Sequence, residues 1–198
     1  VLVVLIAGCQ LAIANSGFAQ VDYNKQYFNG KQLFREGKYS LAMETFKPVV
    51  PYDQNNPFSA YASFYYALSA YHQGYNAVAK DMLNQVKRLN PAWDKLDEVN
   101  FWLAKIHFDN KDYFQGMKTL SAIGNKKMEK DIRAVKVKSI STITDVETLR
   151  MLREDYPNDD VVARTLALRL SKSLSNPDSL SLLEAIIHQH HFTRTEFI

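Results

Sequence analysis

The chain has 198 residues, of which 46% are apolar and 23% charged, and this globular composition excludes intrinsic disorder. Its length predicts one domain or at most two. Lysine and arginine number 24 against 21 acidic residues, so the charge gives no reason to expect a nucleic acid as partner. The single cysteine excludes an intramolecular disulfide and a cysteine-based zinc site.

The first segment, residues 1–20, has the pattern of a secretory signal peptide. Residues 1–14 are apolar except for a break at 8–10, and the small residues Gly17 and Ala19 follow. This apolar run is shorter than the roughly 20 residues that span a bilayer. We therefore predict export to the periplasm or cell envelope, with cleavage near Ala19 or Gln20 and a helical domain over residues 21–198.

Cys9 leaves a second export route open. The stretch Ile6-Ala7-Gly8-Cys9 resembles a lipobox, in which the cysteine is acylated and becomes the new amino terminus. The apolar run continues beyond it to Ala14, which favours ordinary cleavage. A lipid anchor at Cys9 would make the protein an outer-membrane lipoprotein, and it is the only membrane contact that we expect.

The remaining chain contains an internal repeat with a spacing of 37 residues. Five positions recur in three units: a turn residue, an aromatic or polar residue, a small residue, a large apolar residue and a branched apolar residue. Across the three units these are Gly37, Gly74 and Lys111; Tyr39, Asn76 and Tyr113; Ala42, Ala79 and Gly116; Phe46, Leu83 and Leu120; Val49, Val86 and Ile123. The last three positions lie three to four residues apart, as on one face of a helix.

Each unit predicts a helix, a tight turn and a second helix. Apolar-periodic segments at 27–35, 57–72 and 96–108 precede turns at 36–38, 73–74 and 109–112. Pro91 ends the second unit, and Pro157 follows 66 residues later. The small residues predict close helix crossings, beside which the large apolar residues fill the space. Because one helix pair cannot bury its apolar stripe alone, we expect neighbouring pairs to stack.

This pattern resembles the tetratricopeptide repeat family over roughly residues 23–173. The matching residues are Gly30, Gly37, Tyr39, Ala42 and Phe46 in the first unit, Gly74, Ala79 and Pro91 in the second, and Trp102-Leu103-Ala104, Tyr113 and Leu120 in the third. The resemblance implies an all-α fold, a right-handed superhelix of helical hairpins whose first helices line a concave groove. The spacing of 37 exceeds the family's usual 34 or so, and the fourth unit, residues 129–156, lacks the small-residue signature.

The carboxy-terminal third is also predicted to be helical, without strands. Thr144 and Glu147 resemble a capping box at the start of one helix. A further helix is expected at about 160–173, and Pro177 is expected at the first position of the next one. The chain ends on the apolar residues Phe197 and Ile198 with no polar tail, so we expect a further domain beyond them.

No pattern of catalytic residues is present, so we expect no enzyme, no cofactor and no metal. His188 and His191 would share a helix face, but no carboxylate pair accompanies them, and a polar helix end is the favoured interpretation. A solvated helix face is likewise favoured over a phosphate-binding surface for the basic residues Lys126, Lys127, Lys130, Arg133, Lys136 and Lys138.

Aromatic residues are dense in the segment 57–72, where a single buried helix stripe cannot accommodate all of them. We predict that Tyr61, Tyr65, His72 and Trp93 contact a partner protein or peptide, while core packing is favoured for Trp102. The expected function is a non-catalytic protein-interaction module in the cell envelope. The alternative is a recognition arm of a larger periplasmic ligand-binding protein or enzyme, whose functional domain lies beyond residue 198.

Overall fold

The computed structural model describes residues 21–173 and 175–197. Within these ranges the regular structure is entirely helical, and the all-α prediction is confirmed. The α-helices are α1 (Tyr23–Arg35), α2 (Tyr39–Phe46), α3 (Ser59–His72), α4 (Asn76–Leu89), α5 (Leu96–Asp109), α6 (Tyr113–Ser121), α7 (Glu129–Ile140), α8 (Val146–Asp155), α9 (Asp160–Leu170) and α10 (Pro177–His190). Short 3-10 helices lie at Lys126–Met128, Ser171–Ser173 and Arg194–Glu196.

The proposed signal peptide and Cys9 lie outside the described residues. Among the helices that are described, none combines the length and the apolar character needed to cross a membrane.

Neighbouring helices pack in consecutive pairs. Three hairpins form from α1 with α2, α3 with α4, and α5 with α6. We call α1, α3, α5, α7 and α9 the first helices, because consecutive members of this series contact each other. In the fourth unit the close backbone neighbour of α8 is α9, which in turn packs on α10. The arrangement is compatible with a helical repeat.

The turns inside the three hairpins share the same backbone geometry. In each turn a backbone N–H donates at 2.9 Å to a carbonyl five residues earlier, and the pairs are Lys38 to Leu33, Tyr75 to Ala70 and Asp112 to His107. This is the long hydrogen bond of a Schellman motif, which satisfies a free carbonyl at the end of a helix. The residue just before each donor has a positive φ: 73° at Gly37, 81° at Gly74 and 61° at Lys111.

Lys111→Gly should raise the free energy of unfolding by about 0.5–1 kcal/mol. The left-handed backbone costs a residue with a Cβ about 1–2 kcal/mol, and the greater entropy of glycine in the unfolded chain offsets part of the gain. Urea denaturation measures the change. As the matched control, Lys118→Gly in the interior of α6 should lower stability by about 1 kcal/mol. A loss of stability in Lys111→Gly would contradict this account.

Glycine allows close contact in two of the hairpins. A Cβ on Gly30 of α1 would lie 2.6 Å from the ring of Phe46, and a Cβ on Gly116 of α6 would lie 2.5 Å from the ring of Phe108. The second hairpin uses Ala79, which is fully buried. Both glycines therefore face a large apolar ring, as close helix packing requires.

The other predicted packing residues lie where the hairpins meet. Ala42, Phe46 and Leu83 are fully buried, and Leu120 is 4% exposed. Tyr39 and Tyr113 are half-buried at the first position of α2 and α6.

In the carboxy-terminal third, capping residues determine where α8 and α10 begin. Asn176 caps α10 and Pro177 occupies its first turn, as predicted. The prediction that Thr144 caps α8 was wrong by one residue. Asp145 is the cap, because its carboxylate accepts from the Thr148 N–H at 2.8 Å and from the Thr148 hydroxyl at 2.6 Å. The helix expected at 160–173 becomes a 3-10 helix after Leu170.

Candidate functional site

A continuous chain of rings crosses the first three hairpins. We call it the aromatic strip, and its members are Tyr27, Phe34, Tyr39, Tyr65, Tyr71, His72 and Trp102. The path runs from Tyr65 to Phe34 at 5.3 Å between centroids, and from Phe34 to His72 at 5.9 Å. It continues to Trp102 at 5.7 Å, so the strip joins α1, α3 and α5. Such distances lie in the range in which aromatic pairs attract each other.

His72 lies at the centre of this strip, at the carboxy-terminal end of α3. Its imidazole stacks on Tyr39 with 4.4 Å between centroids and 10° between ring planes. The edges of Phe34, Tyr71 and Trp102 surround it, yet the residue remains exposed to solvent. Partial desolvation of the imidazole by the surrounding rings, and then the charge of Lys105, lower the pKa of His72 below its usual value. At neutral pH its imidazole is therefore uncharged.

Two lysines lie against the strip. The ammonium group of Lys105 is 4.0 Å from the Trp102 centroid and 5.3 Å from that of Tyr71. The ammonium group of Lys31 is 5.8 Å from Tyr27 and 5.7 Å from Tyr65. Both positions allow cation–π attraction. Burial is the main cause of a lowered pKa of Lys105, which Asp109 opposes and Lys138 reinforces.

Tyr71 and Asp109 connect α3 to α5 beside this cluster. The Tyr71 hydroxyl donates to the Asp109 carboxylate at 2.7 Å. Burial, and then this hydrogen bond, raise the pKa of Tyr71, so the phenol stays protonated. The contact holds the two first helices side by side at the point where His72, Trp102 and Lys105 meet.

Three of the four predicted partner-binding residues lie along α3, and the fourth lies in the loop before α5. Tyr61 is half-buried near the start of the helix, 5.1 Å from the ring of Trp93, which lies in the loop before α5. Tyr65 is half-buried in the middle and contacts two of the three core clusters. His72 is eleven residues beyond Tyr61, or about 16 Å along the helix axis. Phe34 connects Tyr65 to His72 within the strip. Tyr61 contacts both Trp93 and the strip member Tyr27, the latter at 6.2 Å.

Lys31 and Lys105 were not among the residues predicted for this surface. Their spacing from aromatic residues could have indicated them, because Lys31 follows Tyr27 by four residues and Lys105 follows Trp102 by three. Both spacings place a cation next to an aromatic ring on one helix face.

The other polar candidates occupy different parts of the molecule. Arg133 pairs with Asp160 at 2.8 Å and Lys136 pairs with Asp159, so two of the six basic residues near α7 bind the start of α9. His188 and His191 line a shallow depression with Glu184 at the end of α10. Across the described ranges, no group of three or more His, Cys, Asp or Glu side chains lies close enough to hold a metal ion.

No protein-family model and no curated protein matches the sequence. The resemblance to tetratricopeptide repeats accordingly depends on the repeat within this chain. Two structural features also recur along the chain: the three turns share one backbone geometry, and the helices pack in consecutive pairs.

Proposed function

We propose that this chain is a non-catalytic protein-interaction module of an exported cell-envelope protein, which binds a partner peptide or helix along its first helices. The observation that carries the proposal is the aromatic strip, with the exposed His72 at its centre and a cation at each end. Trp and Tyr, the large rings of this strip, are among the residues that most often anchor protein interfaces. In this proposal the hairpins stack as a right-handed superhelix, and the strip lies in its concave groove.

Two features of the strip suit a binding role better than a purely structural one. Uncharged His72 keeps polar atoms at a surface whose other parts are apolar rings, so it can orient a ligand by hydrogen bonding. The Tyr71–Asp109 hydrogen bond and the stacking on Tyr39 hold the surrounding rings in place before a ligand arrives. A site organised in advance loses less conformational entropy on binding.

Selection from a display library of random peptides tests this proposal. The peptides are about 20 residues long, which corresponds to about 30 Å as a helix. Peptides enriched on the folded chain should bind His72→Ala about 5- to 30-fold more weakly, as expected for loss of an anchor worth about 1–2 kcal/mol. The free energy of unfolding of this variant should fall by about 1 kcal/mol or less. His72 is exposed, and its stacking on Tyr39 contributes no more than about that amount. Titration calorimetry at matched folded fraction measures the affinity.

Tyr52→Ala is the control for this test. Tyr52 is 82% exposed in the loop between α2 and α3, and it contacts no member of the strip among the ring pairs of the described residues. Its removal should leave the enriched peptides bound with unchanged affinity. The proposal fails if no peptide is enriched, or if the enriched peptides bind His72→Ala and the parent chain equally well.

A further inference from the structure

Three lysines project from first helices at or next to the aromatic strip. We call Lys31 of α1, Lys105 of α5 and Lys138 of α7 the lysine row. The first two lie over rings of the strip, at 5.7 Å from Tyr65 and 4.0 Å from Trp102. The charge of Lys138, on the neighbouring α7, disfavours the charged form of Lys105. Positive charge therefore lies over the rings of α1 and α5, and Lys138 adds a third cation near Lys105.

One carboxylate, that of Asp109, lies near the lysine row, and its charge favours the charged form of Lys105. Among the ion pairs formed by the described residues, none includes Lys31, Lys105 or Lys138. Asp109 also accepts the Tyr71 hydroxyl at 2.7 Å. One carboxylate beside three lysines leaves the row with a net positive charge.

The aromatic strip and the lysine row form one surface that is both apolar and positively charged. Each property restricts the kind of peptide that can bind there. A basic segment laid on the strip would bring like charges together, which opposes binding. A neutral apolar segment would cover the half-buried Lys105 ammonium group and leave its donors without acceptors. A carboxylate satisfies those donors through charge-assisted hydrogen bonds, and an apolar neighbour on the same segment covers the rings.

Resting on the proposed function, we infer that the segment bound along the strip is acidic: a peptide of another protein that carries Asp or Glu side chains interspersed with apolar ones. Its carboxylates contact the lysine row, and its apolar side chains pack on Trp102, His72 and Tyr65. Steering by the unpaired lysines also makes association faster at low ionic strength.

The peptide library tests this inference. Peptides whose binding requires His72 should contain more Asp and Glu than Lys and Arg. Lys105→Gln should lower their affinity about ten-fold, the size of a lost hydrogen bond to a charged group. Lys105→Arg, which keeps the charge and can stack on Trp102, should bind nearly as well as the parent chain. Lys118→Gln on α6 makes the same change in net charge and should have no effect.

The outcomes separate the two proposals. If the His72-dependent peptides have no excess of acidic residues and bind Lys105→Gln as tightly as the parent chain, the inference is overturned while the interaction function stands. The same conclusion follows if Lys118→Gln weakens binding as much as Lys105→Gln, since net charge alone would then explain the effect. If no peptide depends on His72, both proposals are overturned.

Discussion

Phe46→Ala should lower the free energy of unfolding by about 3–5 kcal/mol, the range for truncating a fully buried large aromatic side chain. The Phe46 ring has no exposed surface and lies where Gly30 allows α1 and α2 to approach. It also stacks on Tyr65 of α3, at 5.9 Å between centroids and 16° between planes. The ring therefore joins the first hairpin to the second, and its loss leaves a cavity that rigid helices cannot close.

Chemical denaturation of Phe28→Ala provides the comparison for this prediction. Phe28 lies on the same hairpin but is 52% exposed, so its removal should cost no more than about 1 kcal/mol. If both variants lost the same stability, the packing of Phe46 between the two hairpins would be contradicted.

Tyr65→Ala should cost about 3 kcal/mol of stability, at the lower end of the same range because the residue is half-buried. Its ring contacts Phe34 at 5.3 Å, Phe46 at 5.9 Å and Phe64 at 5.6 Å, so it belongs to the packing of both hairpins. Tyr65→Phe keeps these contacts and should remain within about 1 kcal/mol of the parent chain. Thermal or urea unfolding of the two variants checks the difference.

The stability cost of Tyr65→Ala also lowers the amount of folded protein available for binding. A weaker complex with Tyr65→Ala would combine the loss of a contact with a loss of folded protein, whereas His72→Ala reports on the surface itself. A Tyr65→Ala variant that unfolds like the parent chain yet fails to bind would contradict the assignment of this ring to the core. The centre of the proposed binding surface thus lies at His72, Trp102 and Lys105, closer to the carboxy-terminal ends of the first helices.

Much of the fold could be predicted from the sequence because its determinants are local. The spacing of apolar residues by three and four predicts helices wherever it occurs, and the repeat of 37 residues aligned Lys111 with Gly37 and Gly74. That alignment predicts a turn at each position, and all three turns have a positive φ. The cap of α8 was misplaced because Thr144 and Asp145 both suit that position, and only the geometry of the carboxylate decides between them.

The binding surface required the tertiary structure. The sequence alone determined that α3 has more aromatic residues than one buried stripe holds, and it placed Tyr65 and His72 in one group of candidates. Which rings become core depends on α1 and α5, whose side chains are about 30 residues away in the chain. Only the packing of three first helices buries part of Tyr65 between two hairpins and leaves His72 exposed beside Trp102 and Lys105. Burial is a property of neighbouring helices, so a periodic pattern within one helix cannot specify it.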